Sequence, residues 1–170
     1  MSYSLLVLDA STLILAVKVE VLPLIVGRIP TVITPQVAAE GTRQRERWDA
    51  KAIQQLIDDR RITIVRAQPV LAHRLAEDFR MAGGEASTLA LAKVRDAIAG
   101  TDDGVAIKAC KVLGIPFVTA VHLLLGAYEQ RLIDRQAALV RLEQLQKFGR
   151  YHPRILEDAM AQLIGKGRAT

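Results

Sequence analysis

The sequence predicts an α/β fold of three layers: a central short parallel sheet of about five strands, helices on both faces, and extra helices at the C-terminal end. Three observations predict it. Apolar runs of four or five residues recur along the chain, separated by stretches with helical spacing. Helix starts and stops are marked by Thr-Pro, Pro and Gly between them. Two of the apolar runs lead directly into acidic residues, as strands do where a parallel sheet meets a ligand.

Ser4 to Leu8 is a continuous apolar run and reads as a strand buried on both faces. It ends in Asp9, and Ser11 or Thr12 offers a cap for a helix to about Val17. A second apolar helix is predicted over Glu20 to Val26, closed by Gly27. Pro30 opens a strand from Thr31 to Thr34, and Thr34-Pro35 starts a helix that carries Glu40. The charged stretch Arg43 to Lys51 leads into a helix through Ile57, and Ile62 to Val65 is a third strand. A helix runs from Pro69 to about Met81; Gly83-Gly84 breaks the pattern and Glu85 opens another. Ala97 to Gly100 is a fourth strand, and Thr101-Asp102-Asp103 begins a helix whose face holds Val105, Ala106, Ala109, Cys110 and Leu113, with Gly114 as its stop. Pro116 to Thr119 is a fifth strand. Helices near Val121 to Arg131, Asp134 to Lys147 and Pro153 to Ile164 complete a single domain over 1–164, with 165–170 as a frayed tail.

Composition narrows the function. A net charge of +5, from 23 basic and 18 acidic residues, suits a polyanionic partner such as nucleic acid. With Trp48, three Tyr and three Phe as the only aromatics, a broad base-stacking platform is not expected. The lone Cys110 excludes an intramolecular disulfide and a Cys-rich zinc site, and its setting reads as a buried helix position. No run approaches the roughly 20 apolar residues that span a bilayer. With no basic leader or cleavage pattern at the N-terminus, a cytoplasmic protein that does not enter the membrane is expected.

The acids carry the chemistry. Asp9 and the Asp102-Asp103 pair follow strands; Glu40 and Glu85 lie on helices that the topology brings towards the same edge. Clustered carboxylates stay ionised together only when a cation neutralises them, and an all-oxygen donor set favours Mg²⁺ or Mn²⁺ over zinc. Such an ion polarises a phosphodiester and activates water. Each acid also has a structural role open to it. Asp9 can cap the following helix, one of Asp102 and Asp103 can serve only the helix dipole, Glu40 can be a solvated helix end, and Glu85 a first-turn acid.

The segment Leu8-Asp9-Ala10-Ser11-Thr12-Leu13-Ile14 resembles the opening Asp-x-Ser/Thr motif of PIN domains. Val37-Ala38-Ala39-Glu40 looks like the family's second-acid helix, and Asp103 to Thr119 resembles the third-acid helix with its following strand. Gly84-Glu85-Ala86, with Leu123 to Ala127, resembles a bacterial and archaeal subgroup that carries a Gly-Glu-Ala motif. The resemblance spans roughly residues 4–163. It implies a metal-dependent endoribonuclease, as in VapC-like toxins of toxin–antitoxin pairs. Asp9, Glu40 and Asp103 carry over as metal-binding acids with Mg²⁺ or Mn²⁺ as cofactor. Asp102 is a further metal candidate, Glu85 a further catalytic candidate, and Ser11, Thr12 and Thr119 are candidates for positioning the substrate. The partners implied are RNA, a protein antitoxin and a second copy in a homodimer. The chain departs from the pattern where many PIN domains carry a fourth acid: it reads Ala120-Val121-His122-Leu123-Leu124-Leu125 there. Either Glu85 or Asp102 fills that role, or a second metal site is weak. A housekeeping RNA-processing nuclease and a catalytically weak binding module are the competing readings.

His122 lies near this edge and reads as a helix residue at a strand end, while His73 and His152 lack His or Cys companions. Arg43-Gln44-Arg45-Glu46-Arg47-Trp48 can grip phosphates, although Glu46 and Asp49 also suit a solvated face. Lys147, Arg150, Lys166 and Arg168 make the C-terminal part basic.

Overall fold

The computed structural model describes residues 5–165; Ser4, expected to begin the first strand, and residues 166–170 of the expected tail lie outside the described residues. Five strands are β1 (Leu6–Leu8), β2 (Thr31–Ile33), β3 (Thr63–Ile64), β4 (Ile98–Gly100) and β5 (Phe117–Val118). Ten helices alternate with or follow them: α1 (Ala10–Lys18), α2 (Leu22–Ile25), α3 (Pro35–Gly41), α4 (Trp48–Asp58), α5 (Pro69–Phe79), α6 (Gly83–Arg95), α7 (Gly104–Leu113), α8 (Ala120–Glu129), α9 (Arg135–Phe148) and α10 (Pro153–Gly165).

All strand pairs are parallel, in the order β3-β2-β1-β4-β5. The three-layer α/β architecture predicted from the sequence is therefore the one found. Alternation along the strands sends Leu6, Leu8, Ile33 and Ile98 into one core, with α1 to α4 and α8 to α10. Val7, Val32 and Ala99 face the other core, under α5, α6 and α7. From β1 the chain builds outwards through β2 and β3, then returns to β1's other side for β4 and β5. The order reverses between β1 and β4, which opens a crevice at their carboxyl ends.

That crevice depends on a close approach of the two strands. Leu8 pairs with Gly100, and a Cβ on Gly100 would fall inside the envelope of the buried Leu8 Cδ2.

Four local expectations change. Asp9, not Ser11 or Thr12, caps α1. Glu20 sits in the left-handed region (φ 57°) and closes the turn after α1, so α2 starts only at Leu22. Gly83 and Gly84 are the first turn of α6 rather than a break before it, because Glu85 reaches back to the Ala82 N–H and ties down that turn. Gly165, placed in the frayed tail, is the last residue of α10.

Candidate active site

The two central strands deliver Asp9 and Asp103 to one edge. The Asp9 N–H donates to the Gly100 carbonyl (2.9 Å), so the residue after β1 is pinned to the end of β4. Its Oδ1 then accepts from the Thr12 N–H (3.0 Å) and the Ser11 hydroxyl (2.7 Å), capping α1. Its Oδ2 is buried with no partner in hydrogen-bond geometry. Asp9 is 1% exposed. Burial pushes its carboxyl up to about 6, and the Asp102 charge adds a little; the hydroxyls of Thr101 and Ser11 and the Thr12 N–H pull the other way. Asp103 repeats the arrangement on α7: Oδ1 accepts from the Ala106 N–H (2.9 Å), and Oδ2 makes no hydrogen bond with any described residue.

Two helices from opposite layers bring the other acids. Glu40, on the last turn of α3, is exposed, and its carboxylate makes no hydrogen bond or ion pair with any described residue. Its Oε2 lies against Gly84; a Cβ at that glycine would stand 3.3 Å from it, so the glycine lets the first turn of α6 approach α3. Glu85, half-buried on that turn, holds the Ala82 N–H through Oε2 (3.0 Å), leaving Oε1 without a partner. Partial burial raises the Glu85 carboxyl above the ordinary range, followed by the charge of Asp103 and, less strongly, those of Asp9 and Glu40. Those mutual influences place Asp9, Glu40, Glu85 and Asp103 in one electrostatic neighbourhood. Among the described residues, Asp9 Oδ2, Asp103 Oδ2, Glu85 Oε1 and both Glu40 oxygens accept no hydrogen bond in good geometry.

Asp102 is different. Its Oδ1 accepts from the Tyr151 hydroxyl (2.5 Å), its Oδ2 from the Thr12 hydroxyl (2.5 Å), and the Ala120 N–H reaches both (3.3 and 3.0 Å). Its own N–H donates to Ser11 Oγ (3.3 Å). Asp102 thus fastens α1, the start of α8 and the turn before α10 to the end of β4. Ser11 and the fully buried Thr12 bridge Asp9 to Asp102. Burial, then the Asp102 charge, raises the Tyr151 hydroxyl, so it remains a donor. Nothing in the sequence pointed to Tyr151; the sole hint is a tyrosine just ahead of the Pro153 helix start.

Thr119 caps α8, and His122 Nδ1 accepts from the Thr119 N–H (3.0 Å), so this imidazole completes a helix start. Cys110 is buried, with its thiol pushed up to about 11 by burial and by the nearby Asp9 charge, which keeps it protonated.

Among the described residues, no three carboxylate, imidazole or thiol side chains already stand close enough together to chelate an ion. The donor set still fits a hard divalent cation: it is all oxygen, it includes the orphaned buried Asp9 Oδ2, and Glu40 and Glu85 are long side chains on accessible helix turns. Also among the described residues, no helix is long and apolar enough to cross a membrane.

The DUF3368 family, a PIN domain, matches residues 5–166, and the chain belongs to it. PIN domains are generally nucleases, so the chain is a nuclease-type module suited to nucleic acid. Among solved structures it is similar to the crystal structure of PAE2754 from Pyrobaculum aerophilum, with 17% identity and a TM-score of 0.52 over 74% of this chain and 96% of that one. That likeness concerns the fold. Comparison with curated proteins finds no match.

Proposed function

We propose that the protein is an endoribonuclease that hydrolyses RNA phosphodiester bonds with Mg²⁺ or Mn²⁺ held by Asp9, Glu40 and Asp103. The observation that carries this reading is the set of carboxylate oxygens left unused by the fold. Asp9 and Asp103 each cap a helix with Oδ1 and keep Oδ2 for another partner. When bound, the cation polarises the scissile phosphate and lowers the pKa of the attacking water.

The protein's own groups do the rest. Asp9, lifted to about 6 by burial, needs a positive neighbour to stay fully ionised, which favours loading of the site near neutral pH. Glu85, with Oε1 open and a raised carboxyl, takes the proton of the attacking water at that oxygen and supplies the role of the missing fourth acid. Asp102 can join as a ligand only by surrendering hydrogen bonds to Tyr151, Thr12 or Ala120. In this reading Ser11 and Thr12 serve the substrate by holding the acids in place, and Thr119 by setting the start of α8. The toxin of a toxin–antitoxin pair, working as a cytoplasmic homodimer restrained by a partner protein, is the biological setting that fits the motif resemblance best.

End-labelled RNA incubated with Mn²⁺ or Mg²⁺ tests the chemistry. Wild type is expected to cut internally, EDTA to abolish cleavage, and Asp9→Asn and Asp103→Asn each to slow it by at least about 100-fold, the scale on which lost electrostatic stabilisation acts. Equal cleavage by both variants with the same metal dependence rejects the assignment. Tight RNA binding without cleavage, across several divalent metals, favours the binding-module alternative.

A further inference from the structure

We propose that the groove beginning at Glu40, between the C-terminal end of α1 and the α3–α4 loop, is a backbone subsite for single-stranded RNA. The choice of RNA as occupant rests on the ribonuclease reading above. The groove encloses about 240 Å³; its polar lining is Lys18, Glu40, Arg43, Gln44, Arg47 and Asp49.

Three cations meet two acids here, but their situations differ. Asp49 is buried and matched by Arg47, whose Nε lies 3.2 Å from Oδ1 and whose Nη1 donates to Gln44 Oε1 (3.2 Å). That pair is an internal brace for the loop. Lys18 and Arg43 have no carboxylate partner among the described residues. The Lys18 ammonium lies 5.4 Å from the centre of the exposed Phe148 ring, a contact that leaves N–H groups free to meet an anion. Arg43 makes no side-chain hydrogen bond with any described residue.

Neither charge is paired with a carboxylate among the described residues, and both line a groove that also holds a candidate catalytic acid, Glu40. Carboxylates repel a polyanion, so binding must be supplied nearby by cations that release condensed counterions. A groove of about 240 Å³ has room for a nucleotide-sized stretch of one backbone and not for a duplex. The phosphates neighbouring the scissile one would lie along Lys18 and Arg43, setting the direction in which the strand crosses the acids.

The test is fluorescence anisotropy of labelled single-stranded RNA with the full chain in EDTA, across about 50 to 200 mM salt. Lys18→Ala and Arg43→Ala are each expected to weaken binding roughly fivefold near 0.1 M salt and to lower the log–log salt slope by about 0.7. Lys111→Ala, on α7 beyond the sheet, should leave both unchanged. Wild-type slopes in the two groove variants overturn the proposal. So does RNA binding that is absent in wild type while polyglutamate binds and loses affinity in the variants, because the groove then takes an acidic protein segment. Cleavage is scored separately with Mn²⁺. Loss of slope in a protein that never cuts RNA supports the subsite and rejects the ribonuclease reading; normal cutting with unchanged slopes does the reverse.

Discussion

At the scale of the residue, Asp9 serves two purposes with two oxygens. Oδ1 caps α1, while Oδ2 is buried without a partner, and the cost of ionising the group lifts its pKa from 3.8 to about 6. A carboxyl with a raised pKa in the folded state stabilises that state while protonated. The contribution is fully present below pH 3.8 and is lost as pH rises through about 6. In metal-free protein, wild-type stability relative to Asp9→Asn should therefore fall by about 2 kcal/mol between roughly pH 4 and pH 7. Urea denaturation of both proteins across that range checks it; a constant difference shows that Asp9 is not desolvated as described. Asp9's place was legible because an acid after an apolar run marks a strand end. Which oxygen stays unused was not, since that depends on where the Ser11 and Thr12 donors point.

Elements are positioned by small chemical details that sequence reading weighs unevenly. Thr34-Pro35 and Pro69 announced α3 and α5 correctly, because a cap followed by proline suits few other structures. Gly83-Gly84 misled, because a glycine pair usually interrupts a helix; here it forms the first turn of α6 and lets it pass close to Glu40. The link between Tyr151 and Asp102, 49 residues apart, leaves no local pattern at all. It is the hydrogen bond by which the turn before α10 reaches the acidic edge of the sheet. Tyr151→Phe should lower unfolding free energy by about 1–2 kcal/mol, because a hydrogen bond to a charged, partly buried acceptor is lost. The variant should still cut RNA, since Asp9, Glu40, Glu85 and Asp103 keep their supports. Unchanged denaturation midpoints contradict the latch.

At the scale of the whole molecule, the order β3-β2-β1-β4-β5 puts the reversal between β1 and β4, and this brings Asp9 and the Asp102-Asp103 pair to adjacent strand ends. A groove of about 770 Å³ bordered by Tyr151, Leu156, Met160 and Ile164 lies along α10 and holds none of the four acids, and its mainly apolar wall does not suit a polyanion. The sheet could be read from strand spacing, and the position of Asp9 and Asp102-Asp103 at strand ends from the residues after each apolar run, whereas Glu40 and Glu85 are candidates by motif resemblance. The cation groove could be read only in part: Arg43, Gln44 and Arg47 belong to a stretch whose sequence suits phosphates, but Lys18 reaches the groove from a different element, 25 residues before Arg43. The central claim is that acids from three segments, Asp9, Glu40 and Asp103, share a divalent cation at the sheet's switch point. A crystal soaked in Mn²⁺ and measured for anomalous scattering tests it most directly: a peak bounded by Asp9 Oδ2, Asp103 Oδ2 and the Glu40 carboxylate is the predicted result. An empty crevice, or a peak held only by residues away from this edge, would contradict it.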